Sequence, residues 1–129
     1  MTQILLVEDH HNQRLLYESE LSDEGYDVVS AANGLDGLEL FKRHKPAVVI
    51  IDVLLPGING IELMERMLSI NPEVAIIIHS AYSSPSHDFV TWFAYSYVLK
   101  SGDLTELKNQ VRSAVTAPVA RMAEKQTVS

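Results

Sequence analysis

The sequence predicts a doubly wound α/β domain, in which helices cover both faces of a five-stranded parallel sheet. Short runs rich in Val, Ile and Leu alternate with segments of helical periodicity along the 129 residues. The first, third and fourth runs lack the alternation of apolar and polar residues that a half-exposed strand shows. Strands of a parallel sheet covered by helices have this pattern, because both their faces are buried. The predicted strands comprise residues 4–7, 27–31, 47–51, 75–79 and 97–99.

The first three helices are predicted from their capping and stop signals. The first helix covers residues 10–24 and stops at Gly25, since glycine accepts the left-handed conformation that ends many helices. Asn33 is the predicted N-cap of the second helix. The third helix carries apolar residues at helical spacing from Ile61 onward, and Pro72 ends it.

The last two helices complete the alternation. Ser84 before Pro85 predicts the start of a short fourth helix. Its aromatic residues are interpreted as core, namely Phe89, Trp92 and Phe93. Asp103 and Glu106 form a capping-box pattern at the start of the last helix. The apolar periodicity ends near residue 117, so we assign residues 1–117 to one domain and residues 118–129 to a C-terminal tail or linker.

The composition argues against several functional classes. The apolar runs are far shorter than the roughly 18 residues of a membrane span, and the N-terminal run is too short for a signal peptide. The chain has no cysteine, which suits a reducing cytoplasm. Its formal net charge of −7 argues against direct binding to nucleic acid. We expect a cytoplasmic protein that binds neither membranes nor nucleic acids.

Charged or hydroxyl side chains follow four of the five predicted strands. Glu8 and Asp9 follow the first strand, Asp52 the third, Ser80 the fourth and Lys100 the fifth. Because the carboxyl ends of parallel strands meet at one edge of the sheet, we expect these side chains to lie close together. Three neighbouring carboxylates repel one another unless a cation lies among them, and an all-oxygen acidic pocket suits Mg²⁺.

Asp52 is the member of this set that fits a nucleophile. A turn rich in Pro and Gly follows it, which predicts a carboxylate exposed at a loop. A carboxylate that attacks phosphorus needs its negative charge shielded, by a metal on one side and by Lys100 on another. Ser80 can donate a hydrogen bond to a phosphoryl oxygen. The set therefore predicts a site that forms an aspartyl phosphate.

Each of these residues taken alone has a simpler structural interpretation. An acid after a strand is more often a turn or capping residue, and a lone lysine is usually a solvated charge. His10 and His11 adjoin the acids but are interpreted as solvated rather than as metal ligands. His79 lies within a strand, points away from Ser80 and is interpreted as a core histidine. The catalytic interpretation therefore depends on the whole set.

Several short motifs match one known family. They are Ile4-Leu5-Leu6-Val7-Glu8-Asp9, Gly25-Tyr26, Ala32-Asn33-Gly34, Asp52 with Leu55-Pro56-Gly57 and Gly60, Ser80-Ala81-Tyr82, and Tyr97-Val98-Leu99-Lys100. Over residues 3–117 the chain resembles the receiver domains of bacterial response regulators, which include single-domain regulators of chemotaxis and sporulation phosphorelays. The resemblance implies a flavodoxin-like fold and a role in two-component signalling.

The resemblance also implies roles for the site residues. Asp52 accepts a phosphoryl group from the phosphohistidine of a histidine kinase or phosphotransfer protein. Mg²⁺ is the implied cofactor, with Asp9 and Asp52 as ligands, Glu8 close to it or bound through water, and the backbone carbonyl of Leu54 as a further ligand. The domain is then a signalling phosphoacceptor that catalyses only its own phosphorylation and dephosphorylation.

A conformational switch is implied as well. Ser80 and Tyr97 form the switch pair, in which the hydroxyl moves toward the phosphoryl group and the ring turns inward. The fourth helix, the fifth strand and the last helix form the implied surface for a downstream protein. Leu54 and Tyr82 flank the approach of water to phosphorus, which implies a long-lived aspartyl phosphate.

One departure from the family pattern concerns Lys100. It is followed by Ser101, where the family usually has proline after a cis bond. A cis bond before serine costs about 2.5–4 kcal/mol, so we expect a trans bond or a rearranged loop, and with it a less well aimed lysine. The rival function is a Mg²⁺-dependent phosphatase with an aspartate nucleophile, but such enzymes resemble one another in a second aspartate at the place of Leu54.

Overall fold

The computed structural model describes residues 1–81 and 93–116, and these contain the five-stranded parallel sheet that the sequence predicts. The strands lie in the order β2-β1-β3-β4-β5, and every neighbouring pair is parallel. Each predicted strand boundary lies within one residue of the observed one. The strands are β1 (Gln3–Val7), β2 (Asp27–Ala31), β3 (Val48–Ile51), β4 (Ala75–Ser80) and β5 (Ser96–Leu99).

Four helices are present in the described residues, and their ends show which sequence signals were correct. They are α1 (His11–Asp23), α2 (Gly34–His44), α3 (Gly60–Ile70) and α4 (Thr105–Thr116). The Asn33 side chain caps α2 by accepting a hydrogen bond from the Asp36 amide at 2.9 Å. Asp103 Oδ1 accepts from the Thr105 amide at 2.9 Å, which is two residues further on and is not the bond to the Glu106 amide that a capping box predicts. Lys45, the C-cap of α2, adopts the left-handed conformation with φ of 51°, and the sequence did not indicate this conformation.

The sheet separates two apolar layers, as a doubly wound fold requires. On one face, buried side chains of β1, β3 and β4 pack against α2 and α3. On the other face, alternate side chains of the same strands pack against α1 and α4. All four residues of β3 are buried, because helices cover both its faces. Both layers together hold the carboxyl edge of the sheet in a fixed geometry.

Some predicted features lie outside the described residues. These are the helix that begins at Ser84, its side chains Phe89 and Trp92, the Tyr82 ring and the tail after residue 117. Phe93 is described, and it is 42% exposed, so its interpretation as a core residue was wrong. None of the helices in residues 1–81 and 93–116 combines the length and apolar composition that a bilayer span requires.

Candidate functional site

The predicted site residues converge at the carboxyl edge of the sheet. The strand order reverses beside β1, and in such sheets the crevice at this switch point is where ligands bind. Glu8, Asp9 and Asp52 follow the two strands that border this crevice. Together with His10, each of them has a ligand atom within 4.8 Å of those of the others. Lys100 approaches from β5, so the expected cluster is present.

Asp52 is held by hydrogen bonds to both of its carboxylate oxygens. Oδ1 accepts from the backbone N–H of Leu54 at 3.0 Å, and Oδ2 accepts from Lys100 Nζ at 2.8 Å. The residue is only 7% exposed, so the prediction of an exposed carboxylate was wrong. The physical reason is that Lys100 lies over it. The Leu54 side chain, by contrast, is 57% exposed beside the site.

The loop after Asp52 depends on two glycines. Gly57 has φ of +80°, in the left-handed region that glycine adopts without strain. A Cβ on Gly60 would lie 2.5 Å from the carbonyl oxygen of Asp52 and 2.8 Å from the Cα of Val53. The first turn of α3 therefore packs directly against the Asp52 backbone. Only a residue without a side chain permits this contact.

Lys100 is the cation of the site, and its ammonium group has three acceptors. They are Asp52 Oδ2 at 2.8 Å, Glu8 Oε1 at 2.9 Å and Gln13 Oε1 at 3.0 Å. Burial lowers the pKa of Lys100, but the hydrogen bonds to Asp52 and Glu8 outweigh it, and the pKa lies above its ordinary value. Residues 1–81 and 93–116 contain no cis peptide bond, so the bond after Lys100 is trans, as expected. The Lys100 side chain is nevertheless directed at the Asp52 carboxylate, and the prediction of a less well aimed lysine was wrong.

The acidic residues offer oxygen atoms that suit a divalent cation. Glu8 is 2% exposed, and its two oxygens contact Lys100 and His10. Asp9 Oδ1 is buried and makes no hydrogen bond within the described residues, although His10 Nδ1 lies 3.4 Å from it. A buried carboxylate oxygen without a donor is unfavourable unless a cation approaches it. The donor set therefore fits a hard ion such as Mg²⁺.

His10 has a closer relation to the acids than the sequence suggested. Its Nδ1 lies 3.1 Å from Glu8 Oε2 and 3.4 Å from Asp9 Oδ1, although the side chain is 64% exposed. His11 is exposed, and its Nδ1 lies 3.1 Å from the guanidinium of Arg14. The solvated interpretation thus holds for His11 but misses the contacts of His10 with the acidic cluster.

The remaining predicted residues lie around this cluster. Ser80 ends β4, is 1% exposed, and its carbonyl accepts from the Lys100 amide at 2.6 Å. Tyr97 in β5 is half-buried and packs against the layer formed with α2 and α3. His79 is buried against Tyr17, with ring centroids 5.1 Å apart, as expected of a core histidine. Burial is the main cause that lowers the pKa of His79 to about 4.

Sequence comparison relates the whole domain to one family. The model of the response regulator receiver domain matches residues 4–112. Sporulation initiation phosphotransferase F of Bacillus subtilis is 32% identical over 111 residues, which cover 84% of this chain and 90% of that protein. Response regulator ArlR of Staphylococcus aureus is 35% identical over 116 residues, which cover 88% of this chain and 52% of ArlR. The chain thus spans about half the length of ArlR.

Solved structures of a Thermotoga maritima regulator share the fold. The response regulator TrrA in complex with Mg²⁺-BeF superimposes with a TM-score of 0.83 at 37% identity, covering 88% of this chain and 99% of TrrA. TrrA in complex with the histidine kinase ThkA gives 0.83 at 36% identity, covering 90% of this chain and all of that one. These matches do not favour the rival phosphatase. The chain belongs to the response regulator receiver domains, the phosphoacceptors of two-component signalling.

Proposed function

We propose that Asp52 receives the phosphoryl group and that Lys100 and Ser80 are its catalytic partners. The observation that carries this proposal is the 2.8 Å hydrogen bond between Lys100 Nζ and Asp52 Oδ2, next to two further carboxylates. A raised pKa keeps Lys100 charged at neutral pH. Its positive charge lowers the repulsion between the Asp52 carboxylate and an incoming phosphoryl group.

The proposed reaction is a transfer from the phosphohistidine of a kinase or phosphotransfer protein. A carboxylate oxygen of Asp52 forms the new bond to phosphorus, and the bond from phosphorus to the imidazole nitrogen breaks. The imidazole retains the electron pair of that bond. Lys100 then stabilises the charge on the transferred oxygens, while the Ser80 hydroxyl donates a hydrogen bond to one of them.

Mg²⁺ is the proposed cofactor. Glu8, Asp9, Asp52 and the backbone carbonyl of Leu54 would hold it. When bound, the ion supplies positive charge that the three carboxylates need and that phosphoryl oxygens prefer. The buried Asp9 oxygen without a hydrogen-bond donor supports this assignment. TrrA, whose structure contains Mg²⁺-BeF, provides a parallel in a related regulator.

The proposed phosphodonor docks beside the site. Leu15 and Leu16 in the first half of α1 are each 50% exposed, and Leu54 is 57% exposed. Exposed leucines on α1 and beside Asp52 offer apolar surface that suits a protein partner. TrrA has been solved with a histidine kinase, which supports a partner of this class for the related chain. A chain without cysteine fits the proposed location in the cytoplasm.

Phosphorylation is proposed to control a second surface. Ser80 and Tyr97 lie on the neighbouring strands β4 and β5, so a movement of the hydroxyl toward the phosphoryl group can be transmitted to the ring. The proposed output surface consists of the predicted fourth helix, β5 and α4, and its partner is a downstream protein. The predicted helix lies outside the described residues.

Intact mass after incubation with acetyl phosphate and Mg²⁺ tests this function. The parent protein is expected to gain one phosphoryl group, and Asp52→Asn is expected to gain none while its unfolding stays cooperative. Asp23→Asn is the matched control, because Asp23 is exposed at the far end of α1. An adduct that persists in Asp52→Asn would assign the phosphoryl group to another carboxylate and contradict the proposal.

A further inference from the structure

Gln13 contacts the centre of the site from an unexpected direction. It lies in the first turn of α1, four residues after Asp9, and its Oε1 accepts a hydrogen bond from Lys100 Nζ at 3.0 Å. The two residues are 87 positions apart in the sequence. The proposed phosphoryl transfer does not use this contact: its roles belong to Glu8, Asp9, Asp52, Ser80 and Lys100.

The hydrogen bonds of Lys100 show what Gln13 contributes. An ammonium group has three N–H donors, and here each one has an acceptor. Glu8 and Asp52 are carboxylates, which a metal ion and the phosphoryl group also require. Gln13 is neutral and is the acceptor that neither the metal nor the phosphoryl group needs. It can therefore keep hold of Lys100 while the other two acceptors change partners.

The environment of Lys100 explains why such a partner matters. Its backbone amide is tied to the Ser80 carbonyl at 2.6 Å, so the main chain is fixed. The flexible four-carbon side chain must still be directed toward Asp52. Ser101 and Gly102 after it are exposed, and the lysine side chain itself is 14% exposed. Directional contacts to Nζ must supply the alignment.

Helix α1 is firmly placed to provide this contact. Tyr17 and Leu21 on the same helix are 4% and 1% exposed against the sheet. Arg14 Nη1 donates to the Glu8 carbonyl oxygen at 2.9 Å, which ties the start of the helix to the end of β1. The Gln13 amide is thus attached to a rigid element rather than to a loop.

We propose that Gln13 is a positioning residue that holds the Lys100 ammonium group over Asp52 during phosphoryl transfer. The proposal rests on the proposed function, in which Asp52 is the acceptor. Gln13 touches neither the phosphoryl group nor the metal in this scheme and acts only through Lys100. Its loss should slow the chemical step without weakening the binding of either reactant.

The test compares Gln13→Met, which keeps the length of the side chain and removes the acceptor, with the parent protein. Phosphorylation by acetyl phosphate is followed by intact mass at several concentrations of acetyl phosphate and of Mg²⁺. We expect the maximal rate constant to fall about tenfold, as for the loss of one charge-assisted hydrogen bond, and both half-saturating concentrations to stay within about twofold.

A spectroscopic readout separates positioning from general stabilisation. In the parent, the two ε-methylene protons of Lys100 should give separate NMR signals, because the side chain is restrained. In Gln13→Met they should merge. Glu20→Gln is the control, since Glu20 also joins α1 to a distant lysine, Lys108, at 2.7 Å but lies away from the site. This control should keep the parental rate and the Lys100 signals.

Three outcomes would overturn the proposal. They are a rate in Gln13→Met within about twofold of the parent, unchanged Lys100 signals in that variant, or an equal loss of rate in Glu20→Gln. A parent protein that gains no phosphoryl mass would contradict the proposed function instead. The Lys100 signals would then still decide whether Gln13 restrains the ammonium group.

Discussion

The two faces of the sheet position the Asp52 carboxylate and the Lys100 ammonium group by different means. On the face covered by α2 and α3, the position of Asp52 is set through the backbone. Gly60 brings the first turn of α3 against the Asp52 carbonyl, and the Leu54 amide donates to the Asp52 carboxylate. Side chains in this layer supply apolar packing below the site.

On the face covered by α1 and α4, contacts between side chains set the position of the Lys100 ammonium group. Gln13 on α1 accepts from Lys100, and the buried His79 packs against Tyr17 in the layer below. Ion pairs between Lys108 and Glu20 and between Arg112 and Glu24 join α4 to α1. The difference indicates that the carboxylate should tolerate changes in nearby side chains, whereas the lysine should not.

Removal of the lysine is expected to have the largest effect. Lys100→Met leaves Glu8 and Asp52 buried without their cation, which should destabilise the fold at pH 7 by about 3 kcal/mol and slow phosphorylation at least about 100-fold. Unfolding by denaturant and intact mass measure these effects. Lys108→Met is the control, because it breaks a more exposed ion pair that water screens and that contributes little to stability. Equal losses in both variants would contradict the importance of the buried pair.

A substitution at Gly60 tests whether backbone contacts set the position of Asp52. Gly60→Ala introduces a Cβ at 2.5 Å from the Asp52 carbonyl oxygen, and α3 must shift to relieve the clash. We expect a loss of about 2–3 kcal/mol in unfolding free energy together with slower phosphorylation. Gly102→Ala meets no atom within 4 Å and should stay within about 0.5 kcal/mol of the parent. A harmless Gly60→Ala would show that the helix does not position Asp52.

The buried histidine predicts how stability depends on pH. Its folded pKa of about 4 lies below the ordinary 6.5, so the unfolded chain binds more protons between these values. The neutral, buried His79 therefore contributes fully to the free energy of unfolding above pH 6.5, and this contribution is lost as pH falls toward 4. The loss between pH 7 and pH 5 is about 2 kcal/mol. His79→Phe should flatten this part of the stability profile, whereas His44→Gln should not. If the unfolding free energy of His79→Phe still fell between pH 7 and pH 5 as steeply as that of the parent, His79 would not be the group responsible.

The smallest expected effect concerns the exposed side chain beside Asp52. Because Leu54 holds Asp52 through its backbone amide, Leu54→Asn should leave the rate of phosphorylation unchanged. A polar group at this place can position water, so dephosphorylation should become about tenfold faster. The rate of dephosphorylation is measured from the decay of the phosphorylated protein. Leu35→Asn is the control, because Leu35 is an exposed leucine on α2. Decay no faster than in the parent would remove the shielding role.

Much of the fold was predictable because it follows from local patterns. The apolar run of β3 and the capping residue Asn33 gave the correct elements, since burial on both faces and a side-chain cap leave clear traces in sequence. The left-handed conformation of Lys45 at the C-cap of α2 was not predictable, because a lysine has no preference for positive φ. The carboxyl edge was predictable once the strands were assigned as parallel.

What the sequence did not predict depends on contacts between distant residues. Asp52 was expected to be exposed, but Lys100, 48 positions away, covers it. Gln13 was overlooked for the same reason, although it lies in the first turn of α1, just after Glu8 and Asp9 in the sequence. The contact of His10 with Glu8 joins residues only two positions apart, but it depends on the shape of the turn between β1 and α1, which the sequence pattern does not define.

Backbone amide NMR tests most directly whether a phosphoryl group at Asp52 switches the proposed output surface. Addition of Mg²⁺ and beryllofluoride should shift the signals of residues after β1 and β3, and also those of Tyr97 in β5 and of α4. Asp52→Asn should show none of the beryllofluoride-dependent shifts. Shifts confined to the loops around Asp9 and Asp52, with β5 and α4 unchanged, would contradict the switch.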